Sequence, residues 1–152
     1  MNSYRCLSDQ ELSLLEEEFK AFLILNNVLA DDWLIINKDN PVKAQELVEL
    51  FSHLVFEKIV SNSKYLIMKG SKLIHLVKKD DGAISGIWIK LKPNAGSDFS
   101  ALGENGWSSE NLECYTGCKK TSELNKEWFG LLELGYQKTD EITWNQYLNF
   151  VN

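Results

Sequence analysis

Two histidines and three cysteines are the side chains here best suited to proton transfer, nucleophilic attack or metal binding. His53 lies four residues from both Glu49 and Glu57 in a stretch of helical periodicity, so the three share one helix face. Such a trio suits a metal ion, but a second ligand pair is missing. The face also points away from the apolar stripe through Leu47, Phe51 and Leu54, so it reads as a solvated face. Cys114 and Cys118 with His75 offer three ligands where structural zinc takes four, and nothing places Cys6 beside them. In a strand the two cysteines would stand about 13 Å apart. A disulfide needs less than about 7 Å between Cα atoms, so all three are expected as reduced, buried thiols. Asp31-Asp32 precedes Trp33 as an ordinary helix N-terminus, where carboxylates oppose the dipole. No HExxH, Gly-x-Ser-x-Gly or phosphate-loop pattern is present. An enzyme would rely on His53 or His75 as acid or base. Neither has a partner arrangement visible in the sequence, so no catalytic residue is assigned and no cofactor or metal is implied.

Charge is segregated along the chain. Residues 1–60 carry five basic and eleven acidic side chains, residues 61–93 seven lysines against Asp80 and Asp81, and residues 94–152 four basic against nine acidic. A basic middle therefore lies between acidic segments. Lysines at strand edges guard against aggregation. The same lysines, on a face with His75, Trp88, Lys90 and nearby Lys79, would also suit an anionic partner such as single-stranded RNA, which takes stacking area and positive charge together.

Positioning those residues falls to a helix–strand–helix order. Ser8 to Glu11 form a capping box, and Leu12, Leu15, Phe19, Phe22 and Leu23 continue one helix to Asn26-Asn27. A short helix is expected from Asp31 to Lys38. Asn40-Pro41 restarts a long one to about Ser61, with Ala44, Leu47, Val48, Phe51, Leu54 and Val55 on one face. Phe56 and Val60 fall off that stripe, which predicts a second buried surface, against the sheet or another chain. Tyr65–Lys69, Lys72–Lys79 and Ala83–Lys92 read as a three-strand meander. A two-residue Asp81-Gly82 turn pairs His75 with Trp88 and Leu76 with Ile87, separating an apolar face from a mixed one. Residues 93–111 form a loop anchored by Phe99, Leu102 and Trp107, and Leu112–Lys119 a fourth strand. Ser122 is expected to cap a helix through Trp128 that Gly135 closes, and Asp140 to start the last helix.

With 152 residues, 44% hydrophobic and 25% charged, the chain matches one globular domain. Its net charge of −6 argues against a general nucleic-acid coat. Residues 1–10 lack the apolar core of a secretory signal. No apolar run reaches the roughly 20 residues of a membrane span, so no membrane partner and a cytoplasmic location are expected.

LSDQELSLLEEEFKAFLILNNVLADDW, PVKAQELVELFSHLVFEKIV followed by KYL, and ECYTGCKKTSELNKEWFGLLELGYQKTDEITWNQYL together carry a resemblance. They resemble a family of small soluble bacterial cytosolic proteins described only as a domain of unknown function. The resemblance covers nearly the whole chain and is weakest over Pro93–Trp107. It implies a single cytosolic unit and brings no catalytic residue.

The sequence therefore predicts an α+β domain over residues 1–152, with N-terminal helices, a central antiparallel meander of three to four strands and two C-terminal helices. Its expected function is a non-enzymatic protein-interaction or regulatory module, binding another protein or itself. The expected binding residues are His75, Trp88, Lys90 and Lys79 on the meander, with Phe56 and Val60 on the long helix. RNA or another anionic ligand on the basic meander is the alternative, and an enzyme with a site invisible in sequence is a third.

Overall fold

The structure is a computed structural model that describes residues 4–103 and 106–152. The chain, expected as one domain, forms two compact units, Met1–Ile59 and Val60–Asn152. Among the described residues none of the helices is long and apolar enough to cross a membrane.

The first unit is helical: α1 (Asp9–Leu14), α2 (Glu16–Leu25), α3 (Ala30–Asp39) and α4 (Pro41–Ser61), whose last two residues belong to the second unit. The capping box forms as expected: the Glu11 N–H donates to Ser8 Oγ at 3.2 Å, and the Ser8 N–H donates to Glu11 Oε1 at 2.8 Å. The helix expected to run unbroken to Asn26 is interrupted at Leu15, where φ is −108° and ψ 26°. No glycine or proline marks that break. Asn27 at φ 62° ends α2, a conformation asparagine tolerates better than most residues. Helix α3 starts one residue before Asp31, and Asp32 rather than Asp31 accepts the Leu29 N–H at 3.2 Å. Phe19, Phe22 and Phe51 form the aromatic centre, with ring centroids 5.0–6.2 Å apart and Trp33 edge-on to Phe19 at 5.1 Å. The buried face of α4 turns as the helix advances. Ala44 and Phe51 are buried early, then Ser52, Phe56 and Val60 at four-residue steps, while Leu54 is 51% exposed. Leu54 therefore leaves the expected stripe, while Phe56 and Val60, counted off it, are buried along with Ala44 and Phe51.

The second unit is built on an antiparallel sheet in the order β4-β3-β2-β1-β5. Its strands are β1 (Tyr65–Lys69), β2 (Leu73–Asp80), β3 (Ala83–Leu91), β4 (Leu112–Lys120) and β5 (Gln137–Thr139), with α5 (Leu124–Glu133) and α6 (Glu141–Val151). Asp80 pairs with Ala83, so Asp81 and Gly82 alone form the turn, with Gly82 at φ 68°. Leu76 then faces Ile87 and Ile74 faces Ile89, as the two-residue turn requires. One sheet face carries these four with Ile67, Leu91 and Leu112 and packs Trp144 of α6. Phe99, Leu102 and Trp107 of the long loop rest on the same core, as expected of anchors. The other face carries Leu66, His75, Val77, Gly86 and Trp88 and lies beneath α5. Gly135, at φ 101°, closes α5: its N–H donates to Leu132 O and that of Tyr136 to Leu131 O, both at 3.1 Å. Thr121, not Ser122, supplies the hydroxyl at the start of α5, accepting the Glu123 N–H at 3.0 Å. Asp140 caps α6 through the Thr143 N–H at 2.8 Å. Strand β5, absent from the sequence expectation, pairs with β1 between Gln137 and Ile67 and between Thr139 and Tyr65.

Trp128 of α5 is fully buried and its Nε1–H donates to Ser63 Oγ at 2.7 Å. Removing that acceptor leaves a buried donor unpaired, which costs about 1–3 kcal/mol. Ser63→Ala is therefore expected to lower the unfolding free energy by about that amount in urea titrations. The Ser63→Ala/Trp128→Phe double variant, with no orphaned N–H, should lose less than the two single losses added together.

Candidate functional site

Strand parity assembles a site on the α5 side of the sheet. His75 and Trp88 face each other directly across β2 and β3, and their rings stack at 4.5 Å with planes 17° apart. Room for the indole comes from glycine. Gly86 and Gly117 are direct partners across β3 and β4, and a Cβ on Gly86 would lie 2.6 Å from Trp88 Cη2. On Gly117 it would meet Trp88 Cζ3 at 3.4 Å. Tyr136, delivered by the turn at Gly135, stands edge-on to the imidazole at 5.5 Å, with its hydroxyl 2.5 Å from His75 Nδ1.

Burial lowers the His75 pKa from 6.5 to about 4 and raises that of Tyr136, so both are neutral near pH 7. A neutral phenol donating to Nδ1 leaves the ring hydrogen on Nε2, an atom out of contact with solvent and without a hydrogen-bond partner among the described residues. Above these rings runs a groove of about 590 Å³ between the sheet and α5, walled by Val77, Ile84, Trp88, Leu131 and Leu134. Gly130 of α5 also lines it, and a Cβ there would meet nothing within 4 Å. At the rim, Lys119 Nζ sits 2.5 Å from Glu127 Oε1, and that lysine holds the Glu127 carboxyl below its usual range. A larger depression of about 750 Å³ lies among the helices of the first unit, but its lining is more polar and contains no stacked aromatic pair.

The residues expected to bind are thus divided. His75 and Trp88 come together in the groove. Lys79 does not join them: its Nζ donates to the Val60 carbonyl at 2.6 Å and lies 4.8 Å from the Trp128 ring centroid. Lys90 is exposed, with Leu73 and Glu113 as its strand partners. Phe56 and Val60, expected to offer a surface to another chain, are 5% and 0% exposed. Phe56 has the Tyr4 ring at 6.1 Å and the Arg5 guanidinium at 4.9 Å, so the self-association expected through this pair has no surface to use. Cys114 and Cys118 are exposed rather than buried, on the sheet face opposite Gly117. The His53 face is not simply solvated either: Tyr4 lies 5.4 Å from the His53 ring and donates to Glu57 Oε2 at 2.7 Å. Gly117, Gly130 and Tyr136 escaped the sequence reading. The available signal was a tyrosine directly after the glycine that closes α5.

Two outcomes test this geometry. An unfolded histidine binds a proton below about pH 6.5, whereas His75 stays neutral in the folded state down to about pH 4. Stability contributed by the neutral ring is therefore complete above pH 6.5 and falls as the pH drops from 6.5 towards 4. Thermal midpoints of a His75→Phe variant should fall less steeply than wild type across that window. Gly86→Ala should displace the Trp88 indole and cost about 1–3 kcal/mol, the range for an overpacked site, with a change in near-ultraviolet circular dichroism.

No curated protein and no solved structure matches the chain. A match does extend over residues 1–152, the entire sequence, to a family described as a family of unknown function (DUF6495). Sheet, helices and groove are thus those of a member of that family: the chain belongs to DUF6495.

Proposed function

We propose that the protein is a non-enzymatic binding module and that the groove between the sheet and α5 is its site. Its ligand is an uncharged planar aromatic group, supplied by a free heterocycle or by an aromatic side chain of a partner protein. The observation carrying this reading is the stacked His75–Trp88 pair in an apolar groove of about 590 Å³, a volume within the range of small-ligand sites. Charge supports it: the imidazole is neutral, Lys119 is matched by Glu127, and Lys79 is engaged by Val60 and Trp128. These engagements favour an uncharged ligand over RNA. They also favour binding over acid–base catalysis, because His75 Nδ1 is committed to Tyr136 and Nε2 is closed to solvent. Glycine inside a helix costs about 0.5–1 kcal/mol relative to alanine. Gly130 accepts that cost on the wall facing the groove, where a side chain would occupy it. A reducing cytoplasm belongs to the same proposal and fits Cys6, Cys114 and Cys118 as free thiols.

Ligand-observed NMR with indole, with a neutral tryptophan-containing peptide and with adenosine monophosphate tests the reading. Indole or the peptide should bind wild type and fail to bind Gly130→Phe, and which of the two binds more tightly identifies the source of the aromatic group. Binding of the nucleotide alone, weakening as salt rises, would reverse the reading in favour of an anionic ligand. Gly130→Ala should raise stability by about 0.4–1 kcal/mol, because the helix gains propensity and the new methyl meets nothing.

A further inference from the structure

The two edges of the sheet are built differently. On one side β5 has three residues and leads directly into α6, a short edge that offers little to a second chain. On the other, β4 has nine residues, pairs with β3 without interruption from Leu112↔Leu91 to Lys120↔Ala83, and is exposed from Cys114 onward. It contains no proline and no bulge. An edge strand presents a row of backbone donors and acceptors, and a long regular one is a template for another strand.

We infer that β4 is a homodimer interface, in which β4 of two copies pair antiparallel about a twofold axis at Thr116 and form one continuous ten-stranded sheet. The occupant and the register both follow from the strand's own sequence. A twofold axis normal to the sheet keeps each residue on its own face, so only pairs of equal parity can stand opposite each other. Centred on Thr116, all nine residues pair: Glu113 faces Lys119, Tyr115 faces Gly117, Cys114 faces Cys118 and Leu112 faces Lys120 of the second copy. The opposite charges meet twice by symmetry, each Lys119 then standing between Glu127 of its own chain and Glu113 of the second copy. Each tyrosine lies across from Gly117, where its ring meets the edge of the Trp88 indole that already covers that glycine. Tyr115 is 50% exposed in the single chain and gains cover there. Moving the axis by one residue places Tyr115 against Tyr115 or against Lys119 and removes the Glu113–Lys119 pair. The lysines that would shield an isolated edge thus find acidic or apolar partners in a second copy of this strand. The inference shares Gly117 and Lys119 with the groove lining but does not rest on what the groove binds.

The register supplies its own test. Directly opposed residues in an antiparallel pair have Cα atoms about 4.5–5.5 Å apart, within the span of a disulfide. Sedimentation equilibrium of the reduced protein should give twice the 17.4 kDa chain mass. In a Cys6→Ser background, mild copper-phenanthroline oxidation should then produce a covalent dimer joining Cys114 to Cys118 of the second copy. Cys114→Ser and Cys118→Ser should each abolish that cross-link while leaving the reduced dimer intact. Glu113→Lys should weaken association about tenfold, since two attractive exposed pairs become repulsive. A chain that sediments at 17.4 kDa at every concentration overturns the inference. So does a dimer that does not cross-link, or one whose cross-link survives in either single cysteine variant.

Discussion

The second unit depends on the parity set at Asp81-Gly82. Side chains alternate strictly along a strand, so a turn longer or shorter by one residue would re-pair β2 with β3 and exchange faces along one of them. With two residues in the turn, Ile74, Leu76, Ile87 and Ile89 share the α6 face. His75, Val77, Gly86 and Trp88 are left together on the α5 face. Core and groove are two consequences of one register. Burial enforces it: four large aliphatic side chains would reach the wrong side of the sheet after a slip, each costing about 1.5–3 kcal/mol of lost burial.

Part of the charge segregated along the sequence is matched locally in the folded unit. Lysines are long and flexible, and the fold directs several of them to local acceptors: Lys78 to Asp80 at 3.7 Å, Lys79 to the Val60 carbonyl, Lys92 to the Ser109 carbonyl at 2.7 Å, and Lys119 to Glu127. Lys79 illustrates the general point. Its stem crosses the Trp128 ring and its ammonium finds a carbonyl at the end of α4, so a residue that sequence places on a charged face acts as a clamp within its unit. What remains at the groove is aromatic and uncharged.

Features controlled by residues close in sequence were legible beforehand. The Ser8 capping box, the Asp140 cap, the Gly135 stop and the β2–β3 register each rest on a few neighbouring side chains with strong local preferences, and each formed as expected. The order of helices, meander and two C-terminal helices was legible for the same reason, as was the membership of the family that the chain resembles. Features arising from distant residues were not. Strand β5 is Gln-Lys-Thr, with no apolar alternation, and is a strand only because β1 lies beside it. The break at Leu15 carries no local signal, and the exposure of Leu54 follows from the turning of the buried face along α4. Half of the candidate site was visible as the opposed His75 and Trp88. The groove itself is made by absent side chains on β3, β4 and α5, and three glycines far apart in sequence announce nothing until the fold brings them together.

The pairing of β5 with β1 also orders events during folding. Strands β1 to β3 are linked by short connections, so their ladders close small loops. The partnership of Tyr65 with Thr139 instead closes a segment that contains three other strands and α5. Closing entropy rises with loop length, and such non-local contacts are gained late. Leu66 and Ile67 therefore keep one flank of their backbone open through most of the search, although both are buried at its end. The three-residue strand acts as a latch: it adds few contacts, but it takes the last open seat beside β1 and hands the chain to α6, whose Trp144 completes the core.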